Sequence, residues 1–273
     1  MTEYLQQTAE ECFGIKTDPN DINKLYTYII DTYGKANKDI IAKVFSSGEA
    51  AGFLTVNETY FFREPAHFSF LLELLPLFEK TGIQILSAAV GSGCEAYSIA
   101  MLIETYNKNK AAPLPYHIDA FDINPKVIQT ANKGIYSART LREDGNCFHY
   151  MANPFLSKTE NDPGGYYQTD HSLKKNINFF IHNVMDELPA KEYDLIFFRN
   201  AFIYFLPQYR EQILSNLGSV LKENGIFISG VSETAGVKHP CLAEKIRNDV
   251  FYFEKIGSAM PYLQNQNSNI KFP

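Results

Sequence analysis

The sequence predicts an α/β protein, a doubly wound and mostly parallel sheet, preceded by an all-helical N-terminal region. Three observations carry this prediction. From residue 83 onward, short apolar runs recur: IQILSAAV (83–90), YHIDAFDI (116–123), INFFIHNV (177–184), YDLIFFRN (193–200) and GIFISGVS (225–232). Helical patterns at 95–106, 125–132 and 207–222 separate several of these runs, and apolar strands alternating with helices imply a parallel sheet covered on both faces. Before residue 80 no strand-like alternation occurs, and apolar residues recur at helical spacing.

Taken in order, the first clear helix is entered from Asp18-Pro19-Asn20-Asp21 and places Ile22, Leu25, Tyr26, Ile29, Ile30 and Tyr33 on one face. Residues 37–47 carry Ile40, Ile41, Val44 and Phe45 in the same manner. A third helix starts at Pro65, a residue suited to a first helical turn, and runs through Phe68, Leu71, Leu72 and Leu75. The 207–222 pattern puts Ile213, Leu214, Leu217, Val220 and Leu221 on one face and ends at Asn224-Gly225. Residues 251–257 read as a late, antiparallel edge strand, and the tail 264–273 as frayed. Residues 137–176 interrupt the rhythm with the turn signals Asp144-Gly145-Asn146 and Asn161-Asp162-Pro163-Gly164-Gly165, so a small hairpin unit or helical cover is expected there.

Length and composition bound the rest. At about 150 residues per domain, 273 residues predict roughly two. We place them at 1–80, a helical N-terminal domain with a connecting helix, and at 81–273, with 137–176 as an insertion. A chain that is 45% hydrophobic has enough apolar material for a full core, which excludes global disorder. The net charge of −6 argues against a nucleic-acid-coating protein. Cys12, Cys94, Cys147 and Cys241 are scattered without CxxC or metal-ligand spacing, so reduced thiols and no metal site are expected. The start MTEYLQQTAEECF shows no signal-peptide pattern, and no apolar run approaches the ~18 residues of a membrane span. A cytoplasmic protein without membrane insertion is the expectation.

Four segments hold candidate site residues. After the first strand, Gly91-Ser92-Gly93-Cys94-Glu95-Ala96 satisfies a loose G-x-G-x-x-G/A pattern, in which small residues let the backbone approach a ligand. Glu95 in the first helical turn would repel the pyrophosphate of a dinucleotide but attract the cationic amino group and sulfonium of S-adenosylmethionine. Asp122, at the end of the second strand, offers paired acceptors for a ribose diol, with Asn124 available as the N-cap of the next helix. Arg63 follows two phenylalanines in Asn57-Glu58-Thr59-Tyr60-Phe61-Phe62-Arg63, an anchored position. Asn200 and Tyr204 lie at the carboxyl end of the fourth strand, where open α/β sheets bind ligands.

These segments together resemble the chemotaxis receptor glutamate methyltransferases (CheR type). Asn57-x-Thr59-x-Phe61-Phe62-Arg63 is similar to the family's N-x-T-x-F-F-R, and Glu95-Ala96-Tyr97-Ser98-Ile99-Ala100-Met101 to its E-P-Y-S-I-A-M. Asp122-Ile123-Asn124 with Gly134-Ile135-Tyr136, Arg199-Asn200 with Ile203-Tyr204-Phe205, and Ser229-Gly230-x-Ser232-Glu233 match in order. Two departures stand out: Cys94 replaces a family glutamate, and Phe198 replaces a cysteine before Arg-Asn.

The resemblance implies a Rossmann-like methyltransferase fold that uses S-adenosyl-L-methionine and releases S-adenosyl-L-homocysteine. Its cofactor contacts fall on Asn57, Thr59, Arg63, Glu95, Asp122, Asn183, Val184, Asn200 and Ala201, to which the glycine loop adds Gly91. Arg63 and Tyr204 are the candidate catalytic pair. The implied partner is the cytoplasmic domain of a methyl-accepting chemotaxis receptor, methylated on glutamate side chains. A different acceptor, protein or small molecule, or a cofactor-binding module without turnover, are the competing readings.

Overall fold

The computed structural model describes residues 1–55, 58–142, 149–159 and 165–257. The α-helices are α1 (Thr2–Phe13), α2 (Pro19–Tyr33), α3 (Lys38–Ser46), α4 (Ala51–Leu54), α5 (Pro65–Leu74), α6 (Cys94–Asn107), α7 (Pro125–Lys133), α8 (His149–Ala152), α9 (His171–Lys174) and α10 (Arg210–Ser219). The strands are β1 (Ile83–Ala88), β2 (Tyr116–Asp122), β3 (Ile135–Ser137), β4 (Leu156–Lys158), β5 (Tyr166–Thr169), β6 (Ile177–Ile181), β7 (Tyr193–Phe198), β8 (Leu221–Ser229), β9 (Leu242–Arg247) and β10 (Val250–Lys255). Among the described residues they form a seven-stranded sheet in the order β6-β2-β1-β7-β8-β10-β9 and a three-stranded sheet, β3-β5-β4.

The large sheet is parallel from β6 to β8, and β10 and β9 close it antiparallel. The chain builds β1, β2 and β6 in one direction, then returns across β1 to place β7 and β8 on its other side. Strand order therefore reverses at β1, and the crevice outside the carboxyl ends of β1, β2, β6 and β7 is where such sheets bind ligands.

Two apolar layers enclose the sheet. On one face Ile83 and Ile85 of β1 join Phe68, Leu71 and Leu74 of α5 and the buried side of α6. On the other, Leu86, Phe121 and Ile196 share a continuous cluster with Leu5, Leu25 and Ile41 of the N-terminal helices and with Leu214 of α10. Strand residues alternate between the layers because successive side chains point to opposite faces. With no Trp in the chain, phenylalanine supplies the bulk: Phe197, Phe198, Phe202 and Phe227 are all buried, each contributing roughly 1.5–3 kcal/mol of transfer free energy.

Local signals act where the sequence places them. Asp18 caps α2 by accepting from Asn20 N, with Pro19 in the first turn, and Asn37 caps α3 through Ile40 N. Gly34 and Gly134 end α2 and α7 in the left-handed conformation.

Three expectations change. The helix expected over 207–222 is a short 3₁₀ turn followed by α10, and Leu221 begins β8 instead. Asn224-Gly225 is an irregularity inside that strand, with Asn224 at φ 60°, so the turn signal marks a break in register and not a helix end. Residues 251–257 hold β10, which is antiparallel but not at the edge, because β9 lies outside it. The β9–β10 hairpin turns on Asn248-Asp249, both at positive φ, a two-residue connection of the kind that matches strand twist. Within 137–176 the small antiparallel sheet fits the hairpin alternative and begins slightly earlier, at Ile135. Asp144-Gly145-Asn146, most of 161–165, Cys147 and the tail lie outside the described residues.

One charged cluster at the base of the sheet makes a pH prediction. Asp119 on β2 accepts from Asn178 Nδ2 at 2.9 Å and Tyr193 Oη at 2.9 Å, and pairs with Lys191. Burial alone would raise its carboxyl, but hydrogen bonds from Lys191, Asn178 and Tyr193 outweigh it and hold the group below the ordinary aspartate value. A folded-state pKa below the unfolded one stabilises the fold above about pH 4, and that contribution is lost as the pH falls through the folded value. Asp119→Asn is expected to cost about 1–3 kcal/mol at pH 7 by urea unfolding. The gap to wild type should close on acidification below about pH 4; a gap independent of pH would contradict the assignment.

Candidate active site

The carboxyl ends of β1, β2, β6 and β7 converge on one cavity of about 1050 Å³, including the mouth open to solvent. Thr59, Arg63, Gly91, Glu95, Asp122, Asn183, Val184, Asn200, Ala201 and Tyr204 all line it. The structure thus brings together every candidate site residue that it describes; Asn57 lies outside the described residues.

The glycine loop is shaped by crowding. Gly91 has φ 59°, a left-handed conformation that favours glycine, and it lines the cavity with bare backbone. Gly93 has φ 91°, and its Cβ would fall 2.8 Å from Ala131 Cβ. Gly93→Ala is therefore expected to destabilise the fold by about 2–4 kcal/mol in urea unfolding, from backbone strain plus overpacking. Loss below about 0.5 kcal/mol would show that α7 gives way freely.

Asp122 accepts from Gly91 N and Asn124 N, both at 2.9 Å. Burial raises its carboxyl, opposed by the backbone N–H groups of Asn124, Gly91 and Ile123. Asn124 caps α7 through Lys126 N, which leaves Asp122 facing the cavity, as expected.

The Phe61-Phe62 pair explains the placement of Arg63. Both rings are buried, Phe62 edge-on to Phe68 at 5.2 Å, and Phe62 N donates to Ser98 Oγ on α6. With its two predecessors fixed in the core, Arg63 emerges at the cavity, donates to the Glu58 carbonyl at 2.8 Å and lies over the Tyr60 ring. Among the described residues no carboxylate lies within 4 Å of its guanidinium.

Beneath Arg63 sits a network that sequence reasoning missed. Arg199, 1% exposed, pairs with Glu95 Oε2 at 2.9 Å and Glu64 Oε2 at 3.0 Å and donates to the Arg63 carbonyl. Glu95 also accepts from Ser87 Oγ at 2.6 Å. Asn200, at φ 57°, donates its amide to Glu64 Oε1 and its backbone N–H to Glu233. Buried Glu233 takes two further backbone N–H bonds, from Ile203 and Gly230. A Cβ on Gly230 would lie 2.7 Å from Glu233 Oε2, so the glycine is what allows this carboxylate in. The signal for Glu233 was its place at the end of the Ser229–Glu233 motif; that for Arg199 was a cation closing an apolar strand.

Cys94 faces the core, fully buried, and burial pushes its thiol up to about 12. It is not among the cavity residues, so this departure changes packing and not the lining. Phe198 is likewise core. His182, beside Asn183, lines the cavity and escaped notice because it lies just outside the matched motifs.

The N-terminal segment closes the cavity. Phe13 and Ile15 line it, Ile15 bridges to Phe205, and Lys16 N donates to the Tyr204 carbonyl at 2.9 Å. Tyr204, at the rim, is 36% exposed.

The chain is similar in sequence to several named proteins. A chemotaxis protein methyltransferase of Borreliella burgdorferi is 35% identical over 191 residues, covering 66% of this chain and 65% of that protein. One of Vibrio parahaemolyticus is 33% identical over 188 residues, covering 66% of each chain. One of Listeria monocytogenes is 29% identical over 206 residues, covering 74% of each. The chain thus spans just under two thirds of the length of the Borreliella and Vibrio proteins. Among the described residues no helix is long and apolar enough to cross a membrane. Residues 57–251, well over half of the chain, match the CheR methyltransferase, SAM-binding domain, and the chain belongs to that family.

Proposed function

We propose that this chain is an S-adenosylmethionine-dependent protein-glutamate O-methyltransferase. Its acceptor is the cytoplasmic domain of a methyl-accepting chemotaxis receptor, and its site of action the cytoplasm. The helical residues 1–80 and the methyltransferase region 81–273 both contribute, since the cavity draws on Phe13 and Arg63 as well as on Glu95 and Asp122. The observation that carries the reading is two carboxylates and an arginine that, among the described residues, makes no ion pair, all at one cavity. Asp122 and Glu95 suit the ribose diol and the ammonium group of the cofactor, and Arg63 waits at the same cavity without a carboxylate of its own among the described residues.

When bound, S-adenosylmethionine supplies a methyl group on a sulfonium, open to in-line displacement. Alignment is then what the protein must provide. Arg63 orients the incoming glutamate carboxylate, and Tyr204 lines the transfer site. A glutamate with an ordinary pKa near 4.3 is already ionised at pH 7, so no general base is needed. His182 is placed for no such role. It follows β6, which is three strand spacings, roughly 14 Å, from β7. Asn183, Val184, Asn200, Ala201 and Thr59 complete the cofactor contacts, as does Asn57.

A second reading, with another acceptor, is favoured by the N-terminal helices: residues 1–50 hold five Lys and no Arg against eight acidic residues, a weak match to an acidic receptor surface. Incubation with methyl-labelled cofactor and candidate receptor cytoplasmic domains, followed by peptide mass mapping, separates the two. Methyl groups on receptor glutamates support the proposal. Turnover only on other acceptors supports the second reading, and cofactor binding without any turnover leaves a binding module.

A further inference from the structure

Arg199 poses a problem for cofactor binding. It holds Glu95 in a buried ion pair at 2.9 Å, and a carboxylate neutralised in that way has little attraction left for a ligand's cation. Glu64 resolves it. The same guanidinium is shared with Glu64 Oε2 at 3.0 Å, so the trio Glu64, Glu95 and Arg199 carries a formal charge of two anions and one cation. Glu95 and Arg199 line the cavity, whereas Glu64 stands behind them. His67 is the nearest titratable neighbour, with Nδ1 3.3 Å from Glu64 Oε2. Burial pushes its pKa down, so at neutral pH it adds no compensating charge. Glu233, across the corner, is occupied by three backbone N–H groups and, among the described residues, by no cation.

Backbone geometry points to the same residue. Glu64 has φ 56°, a left-handed conformation that is costly for a side chain with no Asn- or Asp-like local hydrogen bond. Phe62, Ala89 and Asn200 share that feature around the cavity; among the described residues the other positive-φ residues apart from glycine, Asn224, Asn248 and Asp249, serve turns or irregularities in strands. This conformation lets one carboxylate reach Arg199, Asn200 Nδ2 at 3.0 Å and Val231 N at 3.4 Å at once.

We propose that Glu64 is a positioning residue that takes up the charge of Arg199 and so leaves Glu95 free to attract the cationic end of the methyl donor. The inference rests on the cofactor reading above. Two ligands test it: S-adenosylmethionine, which carries the charged amino-acid end, and 5′-methylthioadenosine, which keeps the nucleoside and lacks that end. Calorimetric titration of Glu64→Gln is expected to show S-adenosylmethionine weakened about tenfold, with 5′-methylthioadenosine within about twofold of wild type. Glu64→Asp keeps the charge and should restore most of the preference; should the Gln variant not fold, Glu64→Ala, which also removes the charge, takes its place with the same expected outcome. Equal weakening of both ligands, no weakening of either, or loss of the preference in Glu64→Asp would overturn the inference. Wild-type protein that binds neither ligand overturns the cofactor reading itself, and this inference with it.

Discussion

Asp122→Ala is expected to weaken S-adenosylhomocysteine binding by at least about 100-fold, measured by calorimetry. Two hydrogen bonds from ribose hydroxyls to a buried carboxylate, each worth roughly 1.5–3 kcal/mol, set that magnitude. The substitution also orphans Gly91 N and Asn124 N, which now share the two oxygens of Asp122. Unfolding stability should therefore fall by about 1–3 kcal/mol in parallel. The two effects are separable, because cofactor contact predicts a loss of affinity that persists at temperatures where the variant is fully folded. Affinity within about threefold of wild type would remove Asp122 from the ribose site.

Arg63→Ala is expected to act on turnover more than on cofactor affinity. Its guanidinium orients the acceptor, and misplacement of a reacting group costs on the order of 100-fold in rate. We expect kcat/KM for the acceptor to drop by about that factor, while the cofactor Kd, to which Arg63 adds one contact among many, rises by no more than about tenfold. Arg63→Lys should recover little, since a point charge lacks the planar fork that holds a carboxylate by two parallel bonds. Wild-type turnover in Arg63→Ala would refute the orienting role outright. The variant is expected to fold, because the buried Phe61 and Phe62 anchor this segment in the core.

Much of this corner was legible from residues alone, for physical reasons. Apolar strands alternating with helices can be satisfied only by a covered parallel sheet, so β1, β2, β6 and β7 fell where the runs were. The ligand end of such a sheet is fixed by topology, and Gly91, Glu95, Asp122 and Asn200 follow their strands directly. Arg63 stood out by following Phe61-Phe62, whereas Thr59 and Asn183 owed their identification to the family resemblance, since neither spacing nor charge distinguishes them from surface residues. What escaped were residues whose role depends on distant partners. Glu64, Arg199 and Glu233 come from three separate segments; the Arg199–Glu64 pair spans 135 residues of chain and the Asn200–Glu233 bond 33. β9 escaped because its exposed alternation, Glu244, Lys245 and Arg247 among apolar neighbours, resembles a loop until β10 pairs with it. The expected helix end at Asn224 failed because a positive-φ Asn serves a helix terminus and a strand irregularity equally well.

One cavity, at the reversal of strand order, is proposed to hold the methyl donor between Asp122 and Glu95 with Arg63 at the acceptor side. A crystal structure of the protein with S-adenosylhomocysteine tests it most directly. Both ribose hydroxyls are expected on the Asp122 carboxylate, the ammonium group at Glu95, and the sulfur facing the opening beside Arg63 and Tyr204. A ligand bound elsewhere, or bound here with the ribose away from Asp122 and the amino-acid end away from Glu95, would contradict it.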